Sequence, residues 1–330
     1  MSEHDFTFEA MGSHVRILIG EPGPGAVPAP AAAERARLFV GEFEQVLSRF
    51  RPDSELCRLN ADRRREVPAS RLLREAVKAG LWAARRSDGL VDPTLVREIE
   101  AAGYASSRAG LPAAPLGAAL QAAPPRHPAS PDAASRWRQI RVDDRAEAIV
   151  RPPGVAFDSG GTGKGLAADL LARQLRGHER FLIDCGGDIR IGGESAKAWP
   201  YEIQVEHPLS GERAFVLRLG SGGVATSGIN VRIWQRPDGG YAHHLLDPAT
   251  GQPAWTGLIG VTALGGSALE AETLSKAALL AGPERARKLL EDHGGLIVHD
   301  GGRVELVGPL NVAPRITLPS SSPRRAAVAA

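Results

Sequence analysis

Apolar and polar residues alternate through FTFEA (residues 6–10) and HVRILIG (14–20), the period of half-buried strands, with Met11-Gly12-Ser13 breaking the run. From Glu34 the spacing becomes helical. Leu38, Phe39, Phe43, Val46, Leu47 and Phe50 recur every three or four positions until Arg51-Pro52 stops them. Between these segments, residues 21–33 (EPGPGAVPAPAAA) read as a Pro/Gly/Ala loop. SELCRLN reads as a short turn opened by Ser54, and a second helix is expected from about Ser70, a suitable N-cap, to Arg86. Asp88-Gly89 and Asp92-Pro93 mark turns around a short apolar piece. Residues 105–135 are rich in Ala, Pro and Ser with weak periodicity. They read as a variable, mobile insertion with room for a short helix at 115–123.

The second half is denser in strands. WRQIRV and AEAIVR are expected to pair across Asp143-Asp144, and VAF leads into a glycine-rich turn. A helix follows over residues 166–176, then FLIDC as a buried strand. YEIQVEHP, RAFVLRLG and GGVATSG come in close succession, which favours antiparallel pairing. Residues 231–247 read as a hairpin turning at residues 237–240, and GLIGVTALG as another strand. Two helices are expected at 268–280 and 283–292, and GGLIVHDGGRVELVG closes as a hairpin. The fold class read from this order is α+β, with mixed, mostly antiparallel sheets and packed helices. Residues 1–317 read as one unit, or as two intimately packed subdomains, and residues 318–330 as a disordered tail.

Composition narrows the function classes. At 330 residues, 43% hydrophobic and 24% charged, the chain can bury a large core. A formal charge of +2 leaves no nucleic-acid footprint. Cys57 and Cys185 stand far apart without metal-like spacing, and fit a reducing compartment. The N-terminal stretch MSEHDFTFEAMGSHVRILIG has no basic segment followed by an apolar core. No apolar run approaches the roughly 20 residues of a bilayer span. The expected setting is cytoplasmic, without membrane insertion.

The chemistry concentrates in DSGGTGKGLAADLLARQLRGHERFLIDCGGDIR, residues 158–190. Glycines let backbone N–H groups approach an anion, and the following helix N-terminus favours negative charge. A phosphate or pyrophosphate suits such a turn, and so does a plain strand-to-helix connection. The nucleotide P-loop pattern G-x-x-x-x-G-K-S/T fails, because Asp158 replaces its first glycine and Gly165 follows Lys164. Asp188, after Gly186-Gly187, reads as a turn residue. His243-His244 could be a zinc pair by composition, but neighbours on a strand face opposite ways and no third ligand stands out, which disfavours it.

Eight segments in order carry a resemblance: Met11-Gly12-Ser13, LSRFRPDSELCRLN, GLVDPT, DSGGTGKGLAAD, DCGGDIR, ATSG, HLLDPATGQP and SALEAETLSKAALLAG. Together they resemble the ApbE-type flavin transferases (FAD:protein FMN transferases), over nearly the whole chain outside 21–33, 105–135 and the tail. The resemblance implies an enzyme that binds FAD with a divalent metal, usually Mg²⁺. It would break the FAD pyrophosphate and pass FMN to a Ser or Thr of a target flavoprotein, releasing AMP. It further implies FAD contacts at Met11, Phe50, Leu90, Val91, Asp92, Asp158, Lys164 and Leu246. A Gly161 carbonyl would be a metal ligand. His244 would be a general base for the acceptor hydroxyl or a residue that holds its turn.

One segment departs from that pattern. Where the resembling family places an Asp and, four residues later, a Thr as metal ligands, this chain has Glu272 and Lys276, with Ser275 between. Glutamate can coordinate a hard cation, but a protonated lysine cannot. Two other functions therefore stay open beside transfer: hydrolysis of FAD to FMN and AMP, and flavin binding without turnover.

Overall fold

The computed structural model describes residues 3–310. The chain opens with β1 (His4–Ala10), β2 (Ser13–Ile19), α1 (Ala29–Leu47), α2 (Glu55–Ala61) and β3 (Glu66–Pro68). It continues through α3 (Arg71–Arg86), α4 (Val96–Ala101), α5 (Leu116–Ala122), a 3₁₀ turn at Arg136–Gln139, β4 (Arg141–Asp143) and β5 (Ala148–Val150). Next come α6 (Gly163–Gln174), β6 (Phe181–Cys185), β7 (Asp188–Gly192), α7 (Glu194–Ala198), β8 (Tyr201–Glu206), β9 (Arg213–Leu219) and β10 (Gly222–Gly228). The last third holds β11 (Ile233–Gln235), β12 (Tyr241–His243), β13 (Leu246–Asp247), β14 (Gln252–Pro253), β15 (Leu258–Gly265), α8 (Ala268–Leu290), β16 (Gly295–His299) and β17 (Val304–Val307). The fold is α+β.

Eight strands form the main sheet in the order β1-β2-β6-β7-β10-β15-β16-β17, every neighbouring pair antiparallel. Alternation in β2 and β6 sends Val15, Ile17, Ile19, Phe181, Ile183 and Cys185 into one core with α1, α3 and α6. Leu182, between them, joins a second core with Ile191, Val224, Val261 and the α8 residues Leu274 and Ala278. The sheet is thus covered on both faces. Its inner strand β15 is buried from Leu258 to Ala263, as a doubly covered strand must be. The β8–β9 hairpin adds Tyr201, Ile203, Val205 and Leu217 to the second core.

Several boundaries differ from the sequence reading, each for a local reason. Helix α1 begins at Ala29, inside the expected Pro/Ala loop, with a proline in its first turn, where no intrahelical N–H partner is needed. SELCRLN is the helix α2, capped by the Ser54 hydroxyl accepting from Cys57 N–H at 3.0 Å, and too short to show a period. WRQIRV begins as the 3₁₀ turn, so only its end is strand. β3 and β7 are additional strands, the second returning antiparallel to β6 through Gly186 and Gly187 at φ 64° and 91°. The two expected C-terminal helices are joined in α8, with a break where Gly282 has φ 75° before Pro283.

The insertion is fastened to the body. Ala114 N–H donates to Ile233 O, His127 N–H to Trp255 O, Ala129 N–H to Leu280 O and Ser130 N–H to Asp247 Oδ1, at 2.9 to 3.1 Å. Its helix α5 buries Leu116 and Ala119. The tail lies outside the described residues. Among the described residues no helix is long and apolar enough to cross a membrane.

Candidate active site at the junction of helices α6 and α8

Two helix N-termini cap each other across the site. Gly165 N–H, in the first turn of α6, donates to Glu272 Oε2 of α8 at 2.9 Å. Asp169 of α6 accepts from Ala268 N–H and Leu269 N–H at the start of α8, both at 3.0 Å. Each carboxylate satisfies donors that a helix start leaves unpaired, and each faces a positive dipole end. The approach requires glycine at 165. A Cβ there would lie 2.7 Å from Ala268 O and 2.8 Å from Leu269 Cα, both backbone atoms that cannot step aside. Gly165→Ala is expected to destabilise the fold by about 2 kcal/mol, overpacking outweighing alanine's better helix propensity. A urea midpoint equal to or above that of the natural chain would show that the helices separate freely.

Lys164, next to that contact, is 32% exposed at its side chain and sits 2.8 Å from Asp188 Oδ2. Its ammonium also donates to Gly186 O at 3.0 Å. Burial works against its charge, but Asp188 and Glu272 outweigh burial and hold Lys164 well above the ordinary lysine range. Asp188 is only 2% exposed, so it is a buried ion-pair partner. The turn role expected of Asp188 belongs to Asp184, whose Oδ1 accepts from Gly187 N–H at 2.7 Å.

Glu272 is fully buried, and both its oxygens are engaged. Oε2 takes Gly165 N–H, and Oε1 takes the Lys276 ammonium at 2.8 Å, with Lys276 itself 12% exposed. Burial raises the Glu272 carboxyl to about 7 against the pull of Lys276. Ser275 turns instead to strand β10, meeting Ser227 Oγ at 2.8 Å and donating to Glu272 O at 3.1 Å. Gly161 lies in the glycine turn, where an added Cβ would meet Val91 Cγ1 at 3.5 Å. The expected metal set thus contains one carboxylate already shared between an amide and an ammonium, and one group that only donates. Among the described residues no three of His, Cys, Asp and Glu cluster as metal ligands. These residues do not fit a divalent cation.

The glycine turn is pinned from several sides. Asn60 clamps Phe157, giving Nδ2–H to its carbonyl and accepting its N–H, both at 2.8 Å. Asp158 N–H donates to Pro93 O at 2.8 Å, tying the turn to the Asp92 segment. Asp158 Oδ1 accepts from Gly160 N–H at 3.0 Å, and Oδ2 lies 3.5 Å from Arg49 Nε. Arg49 continues over Phe50, 4.3 Å to the ring centroid, and Phe50 packs on Tyr104 at 5.3 Å. Asp92 accepts from Thr94 through Oδ1, while its buried Oδ2 has no hydrogen-bond partner. Burial raises the Asp92 carboxyl. Leu90, Val91 and Leu246 are all buried and offer little surface of their own.

Met11 and Gly12 form the two-residue turn between β1 and β2, at φ 53° and 68°, the hairpin geometry that needs two positive φ values. Met11 N–H is held by Glu44 Oε2 at 3.3 Å. The turn is tied through Arg232 to the histidine segment. Arg232 donates to Gly12 O at 2.7 Å, and Arg232 O in turn receives His244 N–H at 3.2 Å. His244 Nδ1 lies 3.4 Å from that same carbonyl. A carbonyl only accepts, so Nδ1 carries the proton and Nε2 keeps its lone pair. Burial first, then the neighbouring His243 and the positive charges of Lys276 and Lys164, push His244 down to about 3, so the imidazole is neutral at ordinary pH. His243 points the other way, buried edge-on against Trp255 at 4.8 Å.

A model of the ApbE family matches residues 11–298. The chain belongs to the ApbE family. The FAD:protein FMN transferase of Escherichia coli strain K12 is 26% identical to it over 293 residues, 87% of this chain and 80% of that protein. The FAD:protein FMN transferase of Treponema pallidum strain Nichols is 28% identical over 313 residues, 87% and 81% of the two chains. The ApbE protein of Thermotoga maritima MSB8 superposes with a TM-score of 0.76 at 26% identity, covering 93% of this chain and 97% of that one. The flavin transferase ApbE of Vibrio cholerae, 21% identical with a TM-score of 0.72 over 93% and 97%, shares the fold.

The site holds residues that sequence reasoning passed over, Arg49, Asn60, Asp169 and Arg232, and one that it read as a turn residue, Asp188. Arg49, Asn60, Asp169 and Asp188 stand inside segments already singled out, so the motifs marked the place. Their partners are far away in sequence, Asn60 with Phe157 and Asp169 with Ala268, and no local pattern reports such a pairing. Arg232 lies in no motif and gave no signal.

Proposed function

We propose that this chain is an FAD:protein FMN transferase. It cleaves the diphosphate of FAD, joins FMN through a phosphoester to a Ser or Thr hydroxyl of a target flavoprotein, and releases AMP. Family membership supports the reaction, and the single structural observation that carries it is the pinned glycine turn presenting Lys164 at the start of α6. A dianionic diphosphate placed there meets an ammonium, a helix N-terminus and glycine backbone. Phosphoryl transfer needs positioning and charge stabilisation more than covalent help from the protein, and this arrangement offers both.

The proton balance falls to His244. As the acceptor oxygen forms its bond to the FMN phosphorus, the bond from that phosphorus to the bridging oxygen breaks, and AMP leaves with that oxygen. Nε2 of His244, free to accept, takes the hydroxyl proton. In this reading Phe50, Met11 and the Asp92 segment serve the flavin end, and Asp158 the glycine turn. The partners are FAD and the target flavoprotein. The proposed setting is cytoplasmic, supported by Cys57 and Cys185 being free thiols.

The test separates binding from folding. Lys164→Met alone strands the buried Asp188 charge and is expected to lose both stability and ligand, so it is paired with Lys164→Met/Asp188→Asn. Removing both members of a buried pair is far less costly than removing one. The double variant is expected to melt close to the natural chain and to bind FAD at least about tenfold more weakly, a charge-assisted contact contributing roughly 1.5–3 kcal/mol. Unchanged FAD affinity in a flavin-fluorescence titration would remove Lys164 from the binding site.

A further inference from the structure

We infer that the Lys276 ammonium occupies the position beside Glu272 that a divalent cation would need, so that this chain holds a dinucleotide diphosphate without added metal. The inference rests on the FAD reading above, and concerns the charge that accompanies the diphosphate. The geometry is specific. Glu272 is fully buried between α6 and α8, with Oε2 committed to Gly165 N–H and Oε1 to Lys276 Nζ at 2.8 Å. A magnesium ion on Oε1 would sit at about 2.0–2.1 Å and demand an octahedral oxygen set. Ser275 Oγ, the neighbouring hydroxyl, is turned to Ser227 on β10, and the remaining acid nearby, Asp188, is held by Lys164.

An ion could enter only by displacing an ammonium that is itself 12% exposed and has its carboxylate one helical turn away. Displaced but still buried, that ammonium would repel the ion. Lys276 and Lys164 instead form two fixed cations, each matched to one acid, beside the glycine turn. The Lys276 ammonium supplies one positive charge where a divalent ion would supply two. The diphosphate then depends more heavily on Lys164 and the α6 N-terminus.

Isothermal titration of metal-stripped natural protein with FAD, in EDTA and in Mg²⁺, reads this directly. Equal affinity within about threefold is expected, because a pre-placed ammonium needs no ion to complete it. Mn²⁺ added without flavin is expected to stay free by electron paramagnetic resonance. Lys276→Thr, which opens a hydroxyl on the same helix face, is expected to bind FAD at least about tenfold more weakly in EDTA than in Mg²⁺, the ion now completing the charge. FAD binding by the natural chain that appears only with Mg²⁺, or a stoichiometric Mn²⁺ site, would overturn the inference while leaving the flavin reading intact. Absence of FAD binding in every condition would overturn both.

Discussion

His244→Ala is expected to slow flavin transfer by about 10²–10⁴-fold, the usual contribution of a general base, while FAD affinity changes by less than about threefold. The expectation follows from the tautomer. Arg232 O fixes the proton on Nδ1 and leaves Nε2 as an acceptor. The pH behaviour follows with its sign. The folded imidazole is held down to about 3, so it is in its basic form through the whole neutral range, and kcat/KM of the natural enzyme is expected to show no acid limb from His244 between pH 8 and about 5. An acid limb near the ordinary histidine value that disappears in His244→Ala would show the ring to be exposed and freely charging. Equal losses of rate and of FAD affinity would assign His244 to binding or to its turn.

Glu272→Ala is expected to cost about 3–5 kcal/mol in urea unfolding, because it leaves the Lys276 charge buried without a partner. The same change removes the acceptor of Gly165 N–H and so uncaps α6, which adds to the loss. A control isolates the cause. Glu272→Met/Lys276→Met removes both charges, and is expected to recover most of the stability, since a buried ion pair is often replaceable by apolar side chains of similar volume. A single variant within about 1 kcal/mol of the natural chain would mean that Lys276 reaches water when unpaired.

The sheet was legible because its strands alternate or run apolar over five to eight residues, as in β2 and β15. The α2 helix was not, since seven residues give too few repeats to distinguish a helix from a turn. β7 was hidden by its neighbours: Gly186 and Gly187 marked a turn, and nothing in DIRIG alone declared that the chain returns along β6. At the candidate site, the motifs marked Lys164, Glu272 and His244 as candidates, and the i,i+4 spacing put Glu272 and Lys276 on one helix face. What could not be read was the company each side chain keeps. Gly165 looked like a departure from a phosphate loop, and is the point where two helices touch. Lys276 was read as a residue unable to coordinate a cation, and it is bound to Glu272, whose second oxygen caps the facing helix. The insertion looked mobile because its own composition is weakly periodic, whereas its order comes from backbone bonds to β11, α8 and the Asp247 turn.

The most direct measurement incubates the purified chain with FAD and a flavoprotein domain carrying a Ser/Thr acceptor motif. The acceptor is then examined by denaturing electrophoresis under flavin fluorescence and by intact-protein mass spectrometry, with AMP quantified in the same sample. The account predicts a fluorescent acceptor band that survives denaturation, carries the mass of FMN in phosphoester linkage, and appears with one AMP released per flavin attached. Free FMN with AMP and no labelled acceptor would identify a hydrolase, and FAD recovered unchanged would identify a flavin-binding protein without turnover; either result contradicts the proposed transfer.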